Sequence, residues 1–131
     1  MTALEWFLWI LTWALGLAFA AGALGQLLLP KERYRAVGKS QEWTDDFSTA
    51  QLRGIGAIKM LGAIGLLLPA VTGILPILSP LAACGLALFM AGAATERYRR
   101  GEGAFMAGDV AFVLAFAFLA WGRFVLAPHG A

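Results

Sequence analysis

Four long apolar stretches alternate with short polar ones along this chain. They cover about residues 6–29, 51–68, 77–94 and 105–125, each close to or above the ~20 apolar residues that a helix needs to cross a bilayer. Helix punctuation bounds them. The first stops at Pro30, ahead of the charged run Lys31-Glu32-Arg33. Phe47-Ser48-Thr49-Ala50-Gln51-Leu52 opens the second and reads as a capping box, with Ser48 as N-cap, Gln51 reaching back and Phe47 stapled on Leu52. Pro69 closes that stretch. Ser79-Pro80 supplies an N-cap and first helical residue for the third, and Gly101 terminates its polar extension. The pattern predicts an all-α fold, an integral membrane four-helix bundle, antiparallel with short loops, in one domain over residues 1–131.

A secretory signal is the alternative for the first stretch, because Ala18-Phe19-Ala20-Ala21 offers small residues near a cleavage point. That stretch has Glu5 where a signal has positive charge, and it exceeds the ~7–15 residues of a signal core. An uncleaved span is expected. Composition agrees with a membrane protein. Hydrophobic residues make up 60% and charged residues 14%, against ~25% charged in soluble domains, and so small a soluble domain could not hide that much apolar surface.

The charges add direction. Loop one carries Lys31, Arg33, Arg35 and Lys39, and loop three carries Arg97, Arg99 and Arg100, whereas the N-terminal tail and loop two, Pro69 to Pro76, carry none. Positive loops stay in the cytoplasm. Loops one and three are therefore expected inside a cell (inner) membrane, with both termini outside. Trp6, Trp9, Trp13 and Trp121 then gather in the outer half, at the headgroup boundary. Loop one also holds Tyr34, Val37, Trp43 and Phe47, so part of it is expected to lie on the membrane surface or to fold under the bundle. Small residues recur every fourth position at Ala14, Ala18 and Gly22, at Ala83, Ala87 and Ala91, and at Ala107, Ala111 and Ala115. Such stripes let helices approach closely within the bundle or between copies.

Candidate chemistry is sparse. The net charge of +2 makes no case for nucleic acid, and the single cysteine, Cys84, excludes an internal disulfide, a CxxC pair and a cysteine-rich metal site. Cys84 is expected to pack as a small apolar residue, and His129 to be solvated in the C-terminal tail. No metal site or cofactor is evident, nor any nucleophile–base pair. Ionisable groups inside spans are costly and mark candidate sites. Lys59 lies ~12 Å past the start of its span at 1.5 Å per residue, and Asp109 ~6 Å into the fourth. Snorkelling would bring the Lys59 ammonium level with Asp109. Gln26, Arg53 and Glu96 lie toward the same end, so Lys59, Asp109, Gln26, Arg53 and Glu96 form the candidate ligand-binding or buried polar cluster. A Lys59–Asp109 pair that only fixes helix register is an equal alternative. At the opposite end, Glu5 and Arg123 form a candidate outer-side ion pair.

The stretch Trp43 to Phe124 resembles the DoxX-like family of small four-span membrane proteins. The likeness rests on Trp43-Thr44-Asp45-Asp46-Phe47-Ser48, Arg53-Gly54-Ile55-Gly56-Ala57-Ile58-Lys59, Leu61-Gly62-Ala63-Ile64-Gly65-Leu66-Leu67-Leu68-Pro69 and Pro80-Leu81-Ala82-Ala83-Cys84-Gly85-Leu86-Ala87. Arg99-Arg100-Gly101-Glu102, Ala120-Trp121-Gly122-Arg123-Phe124 and the pair Pro30-Lys31 extend it over nearly the whole chain. The resemblance implies the four-span fold. It further implies association with membrane oxidoreductase assemblies, as for some members, or a part in assembling membrane partners. Members often carry a glutamate at the position of Lys59 and a histidine near the end of the third span, where this chain reads Glu96-Arg97. The leading expectation is thus a non-catalytic subunit or assembly partner of a membrane system, redox systems included, or a homo-oligomer. A binder of, or enzyme acting on, a quinone or lipid-like molecule comes second. A small transporter comes last, since the deepest charge is a lysine where a cation carrier wants an acid.

Overall fold

The computed structural model describes residues 2–126, so His129 lies outside the described residues. Four long helices form the bundle: α1 (Ala3–Leu28), α3 (Thr49–Thr72), α4 (Leu78–Arg99) and α5 (Gly103–Trp121). A short helix α2 (Lys31–Arg35) and a 3₁₀ segment (Lys39–Asp46) make up loop one, and a π-helical turn (Gly122–Leu126) extends α5. No strand occurs among the described residues. The four long helices are each apolar and long enough to cross a bilayer, and large side chains such as Ile10, Leu28, Leu61 and Leu88 point outward. In water those side chains would be a liability; in lipid they are the solvent-facing surface. The protein is a multi-pass membrane protein.

Local chemistry sets the ends. Thr2 caps α1 by accepting from the Glu5 N–H at 3.2 Å, and α1 ends at Leu29, whose extended backbone suits a residue before proline. Both halves of the capping box form at α3, between Ser48 and Gln51. Gly101, at φ 73°, ends α4 as expected, and the Glu102 N–H bonds back to the Arg97 carbonyl at 2.9 Å.

Two boundaries move. Helix α3 runs through Pro69 and ends three residues later, before Gly73 in the left-handed region at φ 73°. Ser79, expected as the cap of α4, lies inside its first turn and donates through Oγ to the Leu66 carbonyl at 2.7 Å, next to the Gly65 carbonyl that Pro69, lacking an N–H, leaves without its helical donor.

Helices α1 and α3 pack closely, as do α4 and α5, and the α3–α4 hairpin joins the two pairs. Helix α5 meets α1 at fewer places. At the terminal end Leu8 lies under Gly122, and the Phe7 and Phe118 rings meet edge-on at 5.7 Å. Mid-bundle, Phe19 meets Phe112 and Phe116 edge-on at 5.3 and 4.9 Å. The core between them is Leu8, Leu15, Leu66, Leu86, Phe116 and Leu119.

The close approaches are made by glycines other than the small-residue stripes. Gly62 sits against Leu86, Gly16 against Leu67 and Gly56 against Gln26, each leaving under 3.0 Å to where a Cβ would stand. Of the stripes, Ala83 is buried, whereas Ala14, Ala18, Ala91, Ala107 and Ala111 are exposed. A four-residue repeat drifts around a helix of 3.6 residues per turn, so only part of each stripe faces the core.

Candidate functional site

Below the Phe19–Phe112–Phe116 cluster the two helix pairs diverge around a cavity of about 550 Å³. Its roof is Phe19 and Phe112, and its floor is loop one, where Tyr34, Trp43 and Phe47 stack edge-on in series at 6.5 and 5.6 Å. Loop one therefore folds under the bundle. Two contacts hold it there: Tyr34 is buried against Gly25 of α1, and Arg100 pairs with Asp46 at 2.9 Å; within the loop, Lys31 donates to the Phe47 carbonyl. The exposed Ala18 and Leu88 also line the cavity, so it reaches the lipid-facing surface.

Lys59 and Gln26 stand on the α1/α3 wall. Because α3 begins at Thr49, the Lys59 backbone is ~15 Å along it, deeper than the sequence count. Its side chain bends back toward loop one and places Nζ 3.1 Å from where a Gly22 Cβ would stand, and 5.2 Å from the centre of the Phe19 ring. Gly22 lies ~9 Å from the loop-one end of α1, and Asp109 ~9 Å into α5. Ammonium and carboxylate are thus about level, but on opposite walls. The Asp109 carboxylate takes Arg97 instead, accepting from Nε at 2.7 Å, and no ion pair or hydrogen bond of Lys59 occurs among the described residues. A cation over a ring gains ~0.5–2 kcal/mol, whereas a lysine at mid-span costs ~2.5–3.5 kcal/mol. Phe19 touches the ammonium directly, and Asp109 acts on it across the cavity through charge alone.

Gln26 is 1% exposed and borders the cavity. Its Oε1, closed to water, has no hydrogen-bond partner among the described residues, and its side chain lies near enough to Tyr34 to act on the phenol. Burial pushes the Tyr34 phenol up, against the opposing pull of Gln26 and Arg97, so it stays protonated at physiological pH.

The α4/α5 wall is satisfied internally. Arg97 bridges Asp109 at 2.7 Å and Glu102 at 3.3 Å and lies over the Phe105 ring at 5.3 Å. Glu102 meets Arg100 at 3.5 Å, and Arg100 reaches Asp46 in loop one. An alternating ladder, Asp109–Arg97–Glu102–Arg100–Asp46, runs from the cavity wall to its floor. Glu96 lines the cavity as well, beside the Asp46 carboxyl. A proton shared with Glu96, together with Arg100, holds the Asp46 carboxyl below the usual carboxylate range, and Arg35, 2.6 Å away, does the same for Asp45.

The candidate cluster therefore divides. Lys59, Asp109, Gln26 and Glu96 border the cavity. Arg53 stands apart, donating through Nη1 to the Gln26 and Leu29 carbonyls, where a cation satisfies the open end of α1. At the far end Arg123 is buried over the Trp9 ring at 5.5 Å, with Glu5 acting on it electrostatically. In sequence Arg97 reads as one of three loop arginines, although it stands four residues before the Gly101 stop, inside α4. Tyr34 and Trp43 were visible only as aromatics out of place in a charged loop.

The model of the DoxX-like family matches residues 10–122. The chain belongs to the DoxX-like family. No curated protein and no solved structure matches it. In this DoxX-like protein the match takes in α3, α4 and α5 whole, most of α1, and every residue bordering the cavity, so the cavity belongs to the family's own segment of the chain.

Proposed function

We propose that this DoxX-like protein holds an amphipathic small molecule, a quinone or lipid-like compound, with its polar head between Lys59 and Gln26. The observation that carries this reading is a cavity large enough for such a ligand, within the ~300–1,000 Å³ of small-molecule sites, bordered by a cation that has no ion pair or hydrogen bond among the described residues and by a glutamine whose Oε1 has no hydrogen-bond partner. The aromatic roof and floor suit a flat head, and the surface opening at Ala18 and Leu88 suits an apolar tail. The reading places the protein in the inner membrane, termini outside, so that the cavity opens toward the cytoplasmic leaflet. A subunit or assembly role fits beside this, the bound molecule being what a partner would receive.

Titration of the purified protein in lipid nanodiscs with tailed quinones and single-chain lipids tests the reading. Saturable binding is expected for the wild type, with at least ~10-fold weaker binding for Lys59→Met, equal to ~1.4 kcal/mol. Saturable binding by none of the panel, or equal binding by the variant, would overturn it.

A further inference from the structure

The charges around the cavity do not fall evenly on its two walls. On the α4/α5 side and in the floor every acid has an arginine. Asp109 and Glu102 share Arg97, Glu102 and Asp46 share Arg100, and Glu96 lies 3.8 Å from Arg99. With one proton shared between Glu96 and Asp46, the acids and arginines of that side balance. The α1/α3 side has no acid at this end, since Glu5 stands at the far end of α1 and α3 contains none. Among the described residues that border the cavity, the Lys59 charge is therefore the one left over. Its surroundings set the form of a counter-ion. The ammonium lies beside Gly22, ~9 Å inside the loop-one end of α1, against the Phe19 ring. Ile55, Leu88, Phe89 and Phe112 line the cavity with apolar surface. A bare ion from water would shed its hydration there for little return. An acid on an apolar chain instead enters through the opening at Ala18 and Leu88 and leaves the end of its chain in lipid. The cavity, at about 550 Å³, takes one small molecule, and Nζ lies too deep for a phospholipid headgroup, which stays outside the hydrocarbon layer.

Resting on the ligand-binding reading above, we infer that the preferred occupant is a single-chain fatty acid, bound as its carboxylate. The carboxylate accepts from the Lys59 ammonium, which has three N–H bonds to donate and no ion-pair partner among the described residues. With both partners ionised, such a bond is shorter and stronger than a neutral one. The first part of the chain lies against Phe19 and Phe112. Asp109 faces the carboxylate across the cavity but does not expel it, because its own charge is matched by Arg97, which donates to its Oδ2. A neutral head such as an alcohol keeps the chain contacts and loses the ion pair.

The test equilibrates each of three probes, palmitic acid, hexadecanol and phosphatidylglycerol, between empty nanodiscs of zwitterionic lipid and nanodiscs that hold the protein. The excess on the protein discs gives binding beyond partition into lipid. Near neutral pH the wild type is expected to bind the acid at least ~10-fold more tightly than the alcohol, in line with one charge-assisted hydrogen bond. Lys59→Met should bring acid and alcohol together, and Lys59→Arg, which keeps the charge, should retain the preference. If Lys59→Met fails to fold, the acid-to-alcohol ratio in the wild type and in Lys59→Arg decides alone. Phosphatidylglycerol should show no saturable excess. A Lys59-dependent excess as tight as that of the acid would put the anion on a phospholipid head and overturn the assignment. Equal affinity for acid and alcohol, or binding of neither where a tailed quinone still binds, overturns this inference and leaves the ligand site standing. Binding of none of these molecules overturns the site itself.

Discussion

At the scale of single residues, the pairing of Asp109 decides what the cavity wall is made of. Asp109 is 7% exposed and its carboxylate accepts from Arg97, whose side chain is nearly as buried. Removing one partner of a buried pair strands the other, at ~3–5 kcal/mol, whereas removing both is often nearly neutral. Arg97→Met should therefore lower thermal stability in detergent strongly, and Arg97→Met with Asp109→Leu should recover most of the loss. A double variant as unstable as the sum of the singles would show that the two do not act as a pair. Lys59→Met should behave differently, with little or no loss of stability, because no ion pair is broken. The sequence made Lys59 and Asp109 legible as costly groups at similar depth, since depth follows from residue count. It could not show which partner each takes, because azimuth around the bundle depends on packing between helices that lie far apart in sequence. Arg97 wins Asp109 because α4 and α5 are adjacent, whereas Lys59 projects toward α1.

At the scale of elements, the helix pairs are held at distances set by a few glycines. A Cβ on Gly62 would stand 2.5 Å from Leu86, which is buried, and one on Gly56 would press on Gln26 and the Ala23 carbonyl. Gly62→Ala and Gly56→Ala are expected to destabilise by ~1–3 kcal/mol through overpacking. Gly85→Ala meets nothing within 4 Å and should be neutral or gain up to ~1 kcal/mol in helix propensity. Thermal unfolding of the three variants checks the order. Loop one carries a second prediction, in pH. The folded carboxyls of Asp45 and Asp46 lie below their ordinary values, Asp45 held by Arg35 within the loop and Asp46 by a proton shared with Glu96 and by Arg100 at the end of α4. The Asp46–Arg100 contribution to docking is thus fully present above the ordinary carboxylate pKa of ~3.9 and is lost as pH falls through the lowered value. Trp43 emission, taken as the difference from Trp43→Phe, should stay constant from neutral pH down to ~5 and shift to the red below ~4. A shift near neutrality would show that other groups hold the loop. The four spans, the capping box and the Gly101 stop were legible because each is local. The passage of α3 through Pro69 was not, because it is set by packing against α4 across the hairpin, where Ser79 binds the Leu66 carbonyl.

At the scale of the whole molecule, one end of the bundle is polar and the other is aromatic. The Asp109 to Asp46 ladder, Arg53 and the cavity all lie at the loop-one end, whereas exposed Trp6, Trp13 and Trp121 mark the other. The loop arginines and lysines that orient the chain are partly consumed by this architecture. Arg97 and Arg100 are paired within the protein, and Arg35 is paired with Asp45. The positive-inside tendency counts Lys and Arg themselves and gives acids little weight, so the pairing does not weaken it. Cysteine labelling in right-side-out vesicles tests the orientation that follows, in a Cys84→Ala background. Ile74→Cys, exposed in loop two, should react at once with a membrane-impermeant maleimide. Glu32→Cys, exposed in α2, should react only after permeabilisation. The reverse pattern would turn the protein over and open the cavity to the outer leaflet. Either result fixes which leaflet the cavity opens to, since the lipid-facing rim at Ala18 and Leu88 lies on the loop-one side of Phe116 and Leu119, which close the core above it.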